Sequence, residues 1–334
     1  MKAFIKGISY YLPEKVVTNE DLVAQFPDWS VEKIISKIGI SERHIADVNE
    51  TAADMAIKAA EKLIIEYSIE KSKIDYVILV TQSPDYFLPT TACVIQDRLG
   101  LPTAIGAIDV NLGCSGFIYG LSLAKGLIFG EMAKNVLLLT SETYSKHIHP
   151  KDKGNRTIFG DAAAATLIST EGIAEIKHFS FGTDGKGANN LIVKTGAARC
   201  PNKLDDLIFD NSGNPKSSDY LYMDGSEILN YTLDYFPPLV VETLSKNNLS
   251  QNEIDLFVFH QANKFIMELL RKKMKIEEEK FYRFFENVGN TVSSTIPIAL
   301  KEAINDGYLK NQTNVLLAAP GLGYSWGGNI LKFN

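Results

Sequence analysis

The sequence predicts an α/β protein built twice on one pattern. Three observations carry that expectation. Strand-like and helix-like segments alternate, one strand motif recurs at a shared spacing, and the 334 residues suffice for one large domain or two of about 150 each.

The elements follow in order. Residues 52–67 have the period of an amphipathic helix, with Thr51 placed to cap it. Residues 74–80 (IDYVILV) form an apolar run of strand length. A helix over 90–99, a strand over 104–110, a helix over 115–129 and a strand over 135–141 (NVLLLTS) complete the first half. The second half repeats the pattern. IDLFVFH begins at Ile254, 180 residues after Ile74, and the NVLL of Asn314 follows that of Asn135 by 179. Two matches at nearly one offset indicate an internal duplication, with a boundary near 169–172. The expected halves are 1–171 and 172–334. In this register the loop of Cys114 corresponds to the loop near Asn290, and a pseudo-twofold would bring both to the centre. Residues 182–222 are rich in Gly, Asn, Asp, Pro and Ser. They predict an irregular excursion within the second half that could wall a substrate pocket.

Composition limits the function. Hydrophobic residues make up 45% and charged residues 22%, as in ordinary soluble domains. A net charge of −6 and a pI near 5.5 disfavour nucleic-acid binding, which needs clustered cations. The start, MKAFIKGISYYLPEK, lacks the apolar run of a signal peptide, and no run reaches the ~18 apolar residues of a membrane span. Cys93, Cys114 and Cys200 are too few for a disulfide framework, so a reducing, cytoplasmic setting is expected. His44, His147, His149 and His178 have no zinc-like spacing with cysteines, and no metal is expected.

Candidate chemistry lies in a few motifs. Cys114, in NLGCSGF, stands between a strand and a helix. The amides and dipole of a helix N-terminus favour a thiolate there, although a buried structural cysteine is the commoner fate. His260 ends IDLFVFH, where open α/β sheets bind ligands. It could activate the cysteine, hold an oxyanion or cap the following helix. Asn290, in ENVGNT, offers N–H donors that do not titrate, or is simply a turn residue. The run from Ala319 through Pro320, Gly321 and Leu322 to Gly323 reads as a turn whose amides could complete an oxyanion hole. A phosphate loop is the weaker alternative, because the Walker lysine is missing. Asp161 reads as a structural hydrogen-bonding group.

GCSGF at Cys114, HQAN at 260–263, GNT at 289–291, FGDAAAA at 159–165 and the terminal GLGYSWGGN closely resemble β-ketoacyl-acyl-carrier-protein synthase III. The likeness runs nearly end to end in the family's order, and includes GISERHIA at 39–46. It implies the five-layered αβαβα thiolase-like fold, duplicated within the chain, and a homodimer. It implies a catalytic triad of Cys114, His260 and Asn290. It also implies acyl-CoA and acyl-carrier-protein thioesters as substrates, acyl carrier protein as a partner, and no bound cofactor. On this reading Cys114 takes an acyl group, and loss of CO2 from a malonyl thioester supplies the carbanion that attacks it. His260 and Asn290 hold the enolate oxygen, while the amides of Cys114 and Leu322 hold the other oxyanion.

The sequence departs from the family at several positions. Lys37 and Ile38 stand where Arg and Thr are usual before the Gly-Ile of GISERHI, and Phe265 replaces a basic residue. Trp29 resembles the tryptophan that stacks on the CoA adenine, but with about four extra residues before Gly39. These changes favour weak CoA binding and a primer carried by protein. Leu88, before Pro89, holds the position that reaches the partner's pocket, where Phe goes with short primers; Pro320 replaces a common Phe. Asn263 follows the histidine in the CoA-contacting region. The basic run of Arg271, Lys272, Lys273 and Lys275 would suit an acidic carrier protein, or is a solvated face.

Rival readings fit less well. A degradative thiolase needs a second cysteine near the C-terminus, and a hydroxymethylglutaryl-CoA synthase needs a catalytic Glu, for which Glu142 is imaginable. An acyltransferase to an amine or alcohol remains a real alternative. A non-catalytic partner subunit would have lost its cysteine.

Overall fold

Side chains at 76–80 alternate between two apolar environments, as a strand covered on both faces requires. In the computed structural model, which describes residues 2–211 and 213–334, Val77 and Leu79 pack with the helices Ala52–Glu66 and Thr91–Arg98. Ile78 and Val80 pack the opposite way, with Gly116–Phe129. The second half does the same. Phe257 and Phe259 join Phe236 and Leu239 of the helix Gly225–Lys246 and Met267 of Lys264–Lys273. Leu256 and Val258 turn inward to Ile296 and Ala299 of Thr295–Asn305. Helix, sheet, helix, sheet and helix therefore stack in five layers, and the two middle helices share one core with both sheets.

The large sheet comprises β1 (Phe4–Tyr11), β2 (Tyr76–Val80), β3 (Gly106–Val110), β4 (Asn135–Glu142), β5 (Ala162–Ser169), β6 (Ala174–Thr183), β7 (Leu256–Phe259), β8 (Asn314–Gly321) and β9 (Ser325–Phe333). Their order is β7-β8-β9-β6-β1-β5-β4-β2-β3. β1 and β6 meet only at Phe4–Glu175 and Ile5–Ala174. Outward from that seam the order β1-β5-β4-β2-β3 is answered by β6-β9-β8-β7, with the same sequence of antiparallel and parallel pairings. The place of a fifth strand is taken by a single parallel bridge between Phe257 and Phe281.

The duplication extends to side chains. Asp75 Oδ2 accepts the Asn135 N–H at 2.8 Å, and Asp255 Oδ2 accepts that of Asn314 at 2.8 Å. Asn135 and Asn314 each donate Nδ2–H to a carbonyl just before the paired strand, at Lys73 and Glu253. This is the duplicated thiolase-like architecture that the sequence resemblance implies.

Two local expectations need correction. The segment expected to turn at 319–323 remains strand through Gly321, because Pro320 pairs with Trp326 and Gly321 with Ser325. The excursion at 182–222 is not wholly irregular: Leu191–Ile192 pairs with Tyr222–Met223, and Ile208–Phe209 with Pro215–Lys216. Among the described residues no helix is long and apolar enough to cross a membrane.

Candidate active site

Both central helices begin at the same place. The Cys114 loop leads into Gly116–Phe129 and the Asn290 loop into Thr295–Asn305. A Cβ on Gly113 would stand 3.1 Å from Val292 Cγ1, so the two loops touch. The end of β8 closes in as well. A Cβ on Gly321 would lie 2.6 Å from Ser115 Oγ and 2.9 Å from its backbone nitrogen, so only glycine fits there. Ser115 Oγ meets Ser325 Oγ at 2.7 Å, and Ser325 donates to the Leu322 carbonyl at 3.0 Å. The Cys114 loop is thus fastened to the β8–β9 hairpin.

His260 follows β7 directly. Its N–H continues the pairing by donating to Ala318 O at 3.0 Å. Gln261 pins the turn below it, donating to Phe259 O at 2.6 Å and accepting the Phe284 N–H at 2.9 Å. Asn290 is anchored across the halves: its N–H donates to Ile158 O, and its carbonyl accepts the Gly160 N–H. Its Oδ1 accepts the Val292 N–H at 3.0 Å, which leaves the Nδ2 donors for the cavity.

Cys114, His260 and Asn290 all line one cavity of about 800 Å³, with Pro320, Gly321 and Leu322 on its wall. Part of its wall is apolar and aromatic, with Tyr144 and Phe159 at a centroid distance of 5.1 Å, Leu191 of the excursion and Met223 just past it. The amides of Cys114 and Leu322 have no acceptor elsewhere among the described residues. His260 and Asn290 are each 5% exposed.

The electrostatics correct one expectation. The helix N-terminus does not make Cys114 a resting thiolate. Burial and then the neighbouring Glu142 push the thiol up to about 12, against a smaller opposing effect of its own N–H. Burial pushes His260 down to about 3. The resting pair is therefore neutral thiol and neutral imidazole. Glu142, raised by burial to about 8, accepts the Gln82 N–H and the hydroxyls of Ser83 and Ser293. Its bonds are those of a buried brace behind the cysteine.

The matching family models are those described as 3-oxoacyl-[acyl-carrier-protein (ACP)] synthase III, over residues 108–185, and as its C terminal, over 244–333. The β-ketoacyl-[acyl-carrier-protein] synthase III of Clostridium perfringens (strain ATCC 13124) is 37% identical, covering 98% of each chain. The chain belongs to the β-ketoacyl-acyl-carrier-protein synthase III family. A solved 3-oxoacyl-(acyl-carrier-protein) synthase III superposes with a TM-score of 0.97 at 48% identity over 100% of both chains. The 3-oxoacyl-(acyl-carrier protein) synthase of Burkholderia xenovorans LB400 gives 0.91 at 36% identity, over 100% of this chain and 95% of its own. As a member of the family the chain is an acyltransferase.

Among the expected substrate contacts of this synthase, Lys37, Asn263 and Lys272 line the cavity mouth. Asn263, rather than His260, caps the helix that follows, through Oδ1 and the Ile266 N–H. Arg271 is held by Glu268 and Glu278, and Lys273 donates to Leu233 O, so neither lines the mouth. Trp29 also stands off the cavity. It packs with the cluster of Val17, Leu22, Phe26 and Ile34, and Lys33 Nζ lies 5.0 Å over its ring. Gly323 lies past the wall residues, in the β8–β9 turn with φ +121. Leu88 is 86% exposed, away from this chain's own cavity. Asp161 accepts the N–H groups of Ala46 and Ser145, a structural role as expected.

The sequence reading missed the helix Gly225–Lys246, which supplies Ile228, Leu229, Tyr231, Thr232 and Phe236 to the cavity. Pro237 and Pro238 lie within it and mask its periodicity. Thr295 was missed too, because its contact with His260 spans 35 residues and follows no local pattern.

Proposed function

We propose that Cys114 takes an acyl group from a thioester primer, and that this group is joined by decarboxylative Claisen condensation to malonyl-acyl carrier protein. The product is a β-ketoacyl thioester. The observation that carries this reading is the convergence of Cys114, His260 and Asn290, from three separate loops, on one cavity.

The chemistry follows from the resting charges. A neutral thiol must lose its proton as the S–C bond forms, and the neutral His260 ring is the base that takes it. The departing thiolate draws a proton from solvent at the mouth. His260 then holds an N–H for the second half-reaction, with the malonyl carboxylate as its counter-charge. Loss of CO2 leaves an enolate, and His260 and Asn290 donate to its oxygen, at ~3–4 kcal/mol per preorganised donor. The carbanion attacks the acyl carbon, whose oxygen rests on the amides of Cys114 and Leu322. On collapse the Cys114 thiolate recovers the proton from His260. One solvent proton is consumed per turnover, as conversion of a carboxylate to CO2 requires.

The mouth, with Ile38 and Phe265 beside Lys37 and Lys272, suits a primer on a carrier protein better than one on CoA. Leu88, exposed next to the exposed Phe87, fits a homodimer in which it enters the partner's pocket. The matching strand orders support a division into 1–171, which carries Cys114, and 172–334, which carries His260 and Asn290. The working setting would be the cytoplasm.

The test is intact-protein mass spectrometry after incubation with a panel of acyl-CoA and acyl-carrier thioesters. One added acyl mass, absent in Cys114→Ala, is expected and names the primer. Acylation that persists in Cys114→Ala would remove the assignment.

A further inference from the structure

Val292 is a β-branched residue at φ +56, in a region that normally favours glycine. Both of its peptide groups are held by the site. Its N–H donates to Asn290 Oδ1 at 3.0 Å, and its carbonyl accepts the Thr295 hydroxyl at 3.0 Å. His260 Nδ1 lies 2.7 Å from the same Thr295 oxygen. A threonine hydroxyl has one proton and two lone pairs. With its proton on the Val292 carbonyl, the oxygen can only accept from His260. Nδ1 must then carry the ring proton. Nε2, with no partner among the described residues, is left as a lone pair on the cavity side.

We propose that Thr295 is a positioning residue that sets the tautomer of His260, holding Nδ1–H so that the resting ring presents Nε2 as a base. The role rests on the reading of Cys114 as acyl carrier and adds a requirement to it. A ring protonated at Nε2 could donate to an enolate oxygen but could not take the cysteine's proton. The turn 290–295 therefore orients both partners of the cysteine: it aims Nδ2 of Asn290 through the Val292 N–H, and fixes the proton of His260 through the Val292 carbonyl and Thr295.

Thr295→Val keeps the shape and removes the acceptor. The buried Nδ1–H would then lack a partner, and the ring should shift to the Nε2–H form. Heteronuclear NMR of ring-nitrogen-labelled histidine, with the His260 signal assigned by its loss in His260→Ala, reads the tautomer directly. The wild-type protein should show Nδ1–H, Thr295→Val should show Nε2–H, and Thr295→Ser should keep Nδ1–H. Acylation of Cys114 should slow about 100-fold in Thr295→Val, while decarboxylation of a malonyl thioester falls much less. Thr295→Ser should recover most of the lost acylation. An Nε2–H ring in the wild type, or a Thr295→Val protein with unchanged tautomer and acylation, overturns the proposal. So does equal loss of both half-reactions in the valine and serine variants. If Thr295→Val does not fold, the wild-type and serine spectra still decide. Absence of any acyl adduct on wild-type Cys114 would instead strike the underlying function, because the tautomer is read without substrate.

Discussion

In the proposed mechanism Cys114 and His260 gain their reactivity from position rather than from charge. With the thiol pushed up to about 12 and the imidazole down to about 3, neither group changes charge between pH 6 and 9. Alkylation by iodoacetamide should therefore be slower at Cys114 than at the exposed Cys93 throughout pH 7–9. Peptide mapping showing Cys114 labelled first would refute the neutral resting pair. In the proposed mechanism Asn290 belongs to the second half-reaction, where its free Nδ2 would meet an oxyanion that forms only after decarboxylation. Asn290→Ala should leave the acyl adduct intact and lower condensation by about 10²–10³; equal loss of both steps would end that division of roles. Glu142 makes a pH-dependent contribution to stability. Its pKa is raised in the folded protein, so full stability is present below the ordinary glutamate range and is lost as pH rises through about 8. Glu142→Gln should gain on the wild type by about 4 kcal/mol between pH 5 and 9, as denaturant melts at the two pH values would report. Cys114 was legible as a candidate nucleophile because glycines lie close on both sides and a strand and helix bracket it. The brace was not, since Glu142 meets Gln82 and Ser293 across 60 and 151 residues.

The helix Lys264–Lys273 shows how an element's packing divides residues that look alike in sequence. Its cationic run predicts a uniform basic face. In the fold, Arg271 is tied to Glu268 and Glu278, while Lys272 faces the cavity mouth. In the proposed docking, carrier steering would depend on Lys272, with a smaller share from Lys273, which is anchored to Leu233 O. Lys272→Ala combined with Lys273→Ala should raise KM for the malonyl carrier about tenfold at low ionic strength, with kcat preserved and the effect shrinking as salt is added. Initial rates at two salt concentrations decide it, and a salt-independent or absent effect would move docking elsewhere. Trp29 shows a different placement. It packs against Phe26 and Ile34 with Lys33 across its ring, off the lining of the cavity. Elements with a clear apolar period, such as Ala52–Glu66, were readable from sequence. Gly225–Lys246 was not, because its two prolines break the local signal while buried Tyr231, Phe236 and Leu239 hold the helix in place.

At the scale of the molecule, the repeat at offsets of 180 and 179 was visible because Asp75 and Asp255, and Asn135 and Asn314, perform the same bonding at matching strand edges. The shrinkage of the fifth strand to the Phe257–Phe281 bridge left no such mark. The duplication also explains why the site sits at the centre: the Cys114 and Asn290 loops begin the two helices of the shared middle layer. That layer makes the halves structural repeats rather than independent units. Residues 1–171 hold a full set of five strands, but the inward Ile78, Val80, Val136 and Leu138 complete their core only with Val258, Ile296, Val315 and Leu317. Separating the halves would expose these side chains, at ~1.5–3 kcal/mol each, and a few of them offset the ~5–15 kcal/mol by which a domain is stable. A fragment of residues 1–171 should therefore lack a cooperative thermal transition and near-ultraviolet circular dichroism. Mixing it with 172–334 should restore both, together with acylation of Cys114. A sharp, independent melt of 1–171 alone would show that the first sheet needs no partner, and the shared middle layer would then be an interface between two domains.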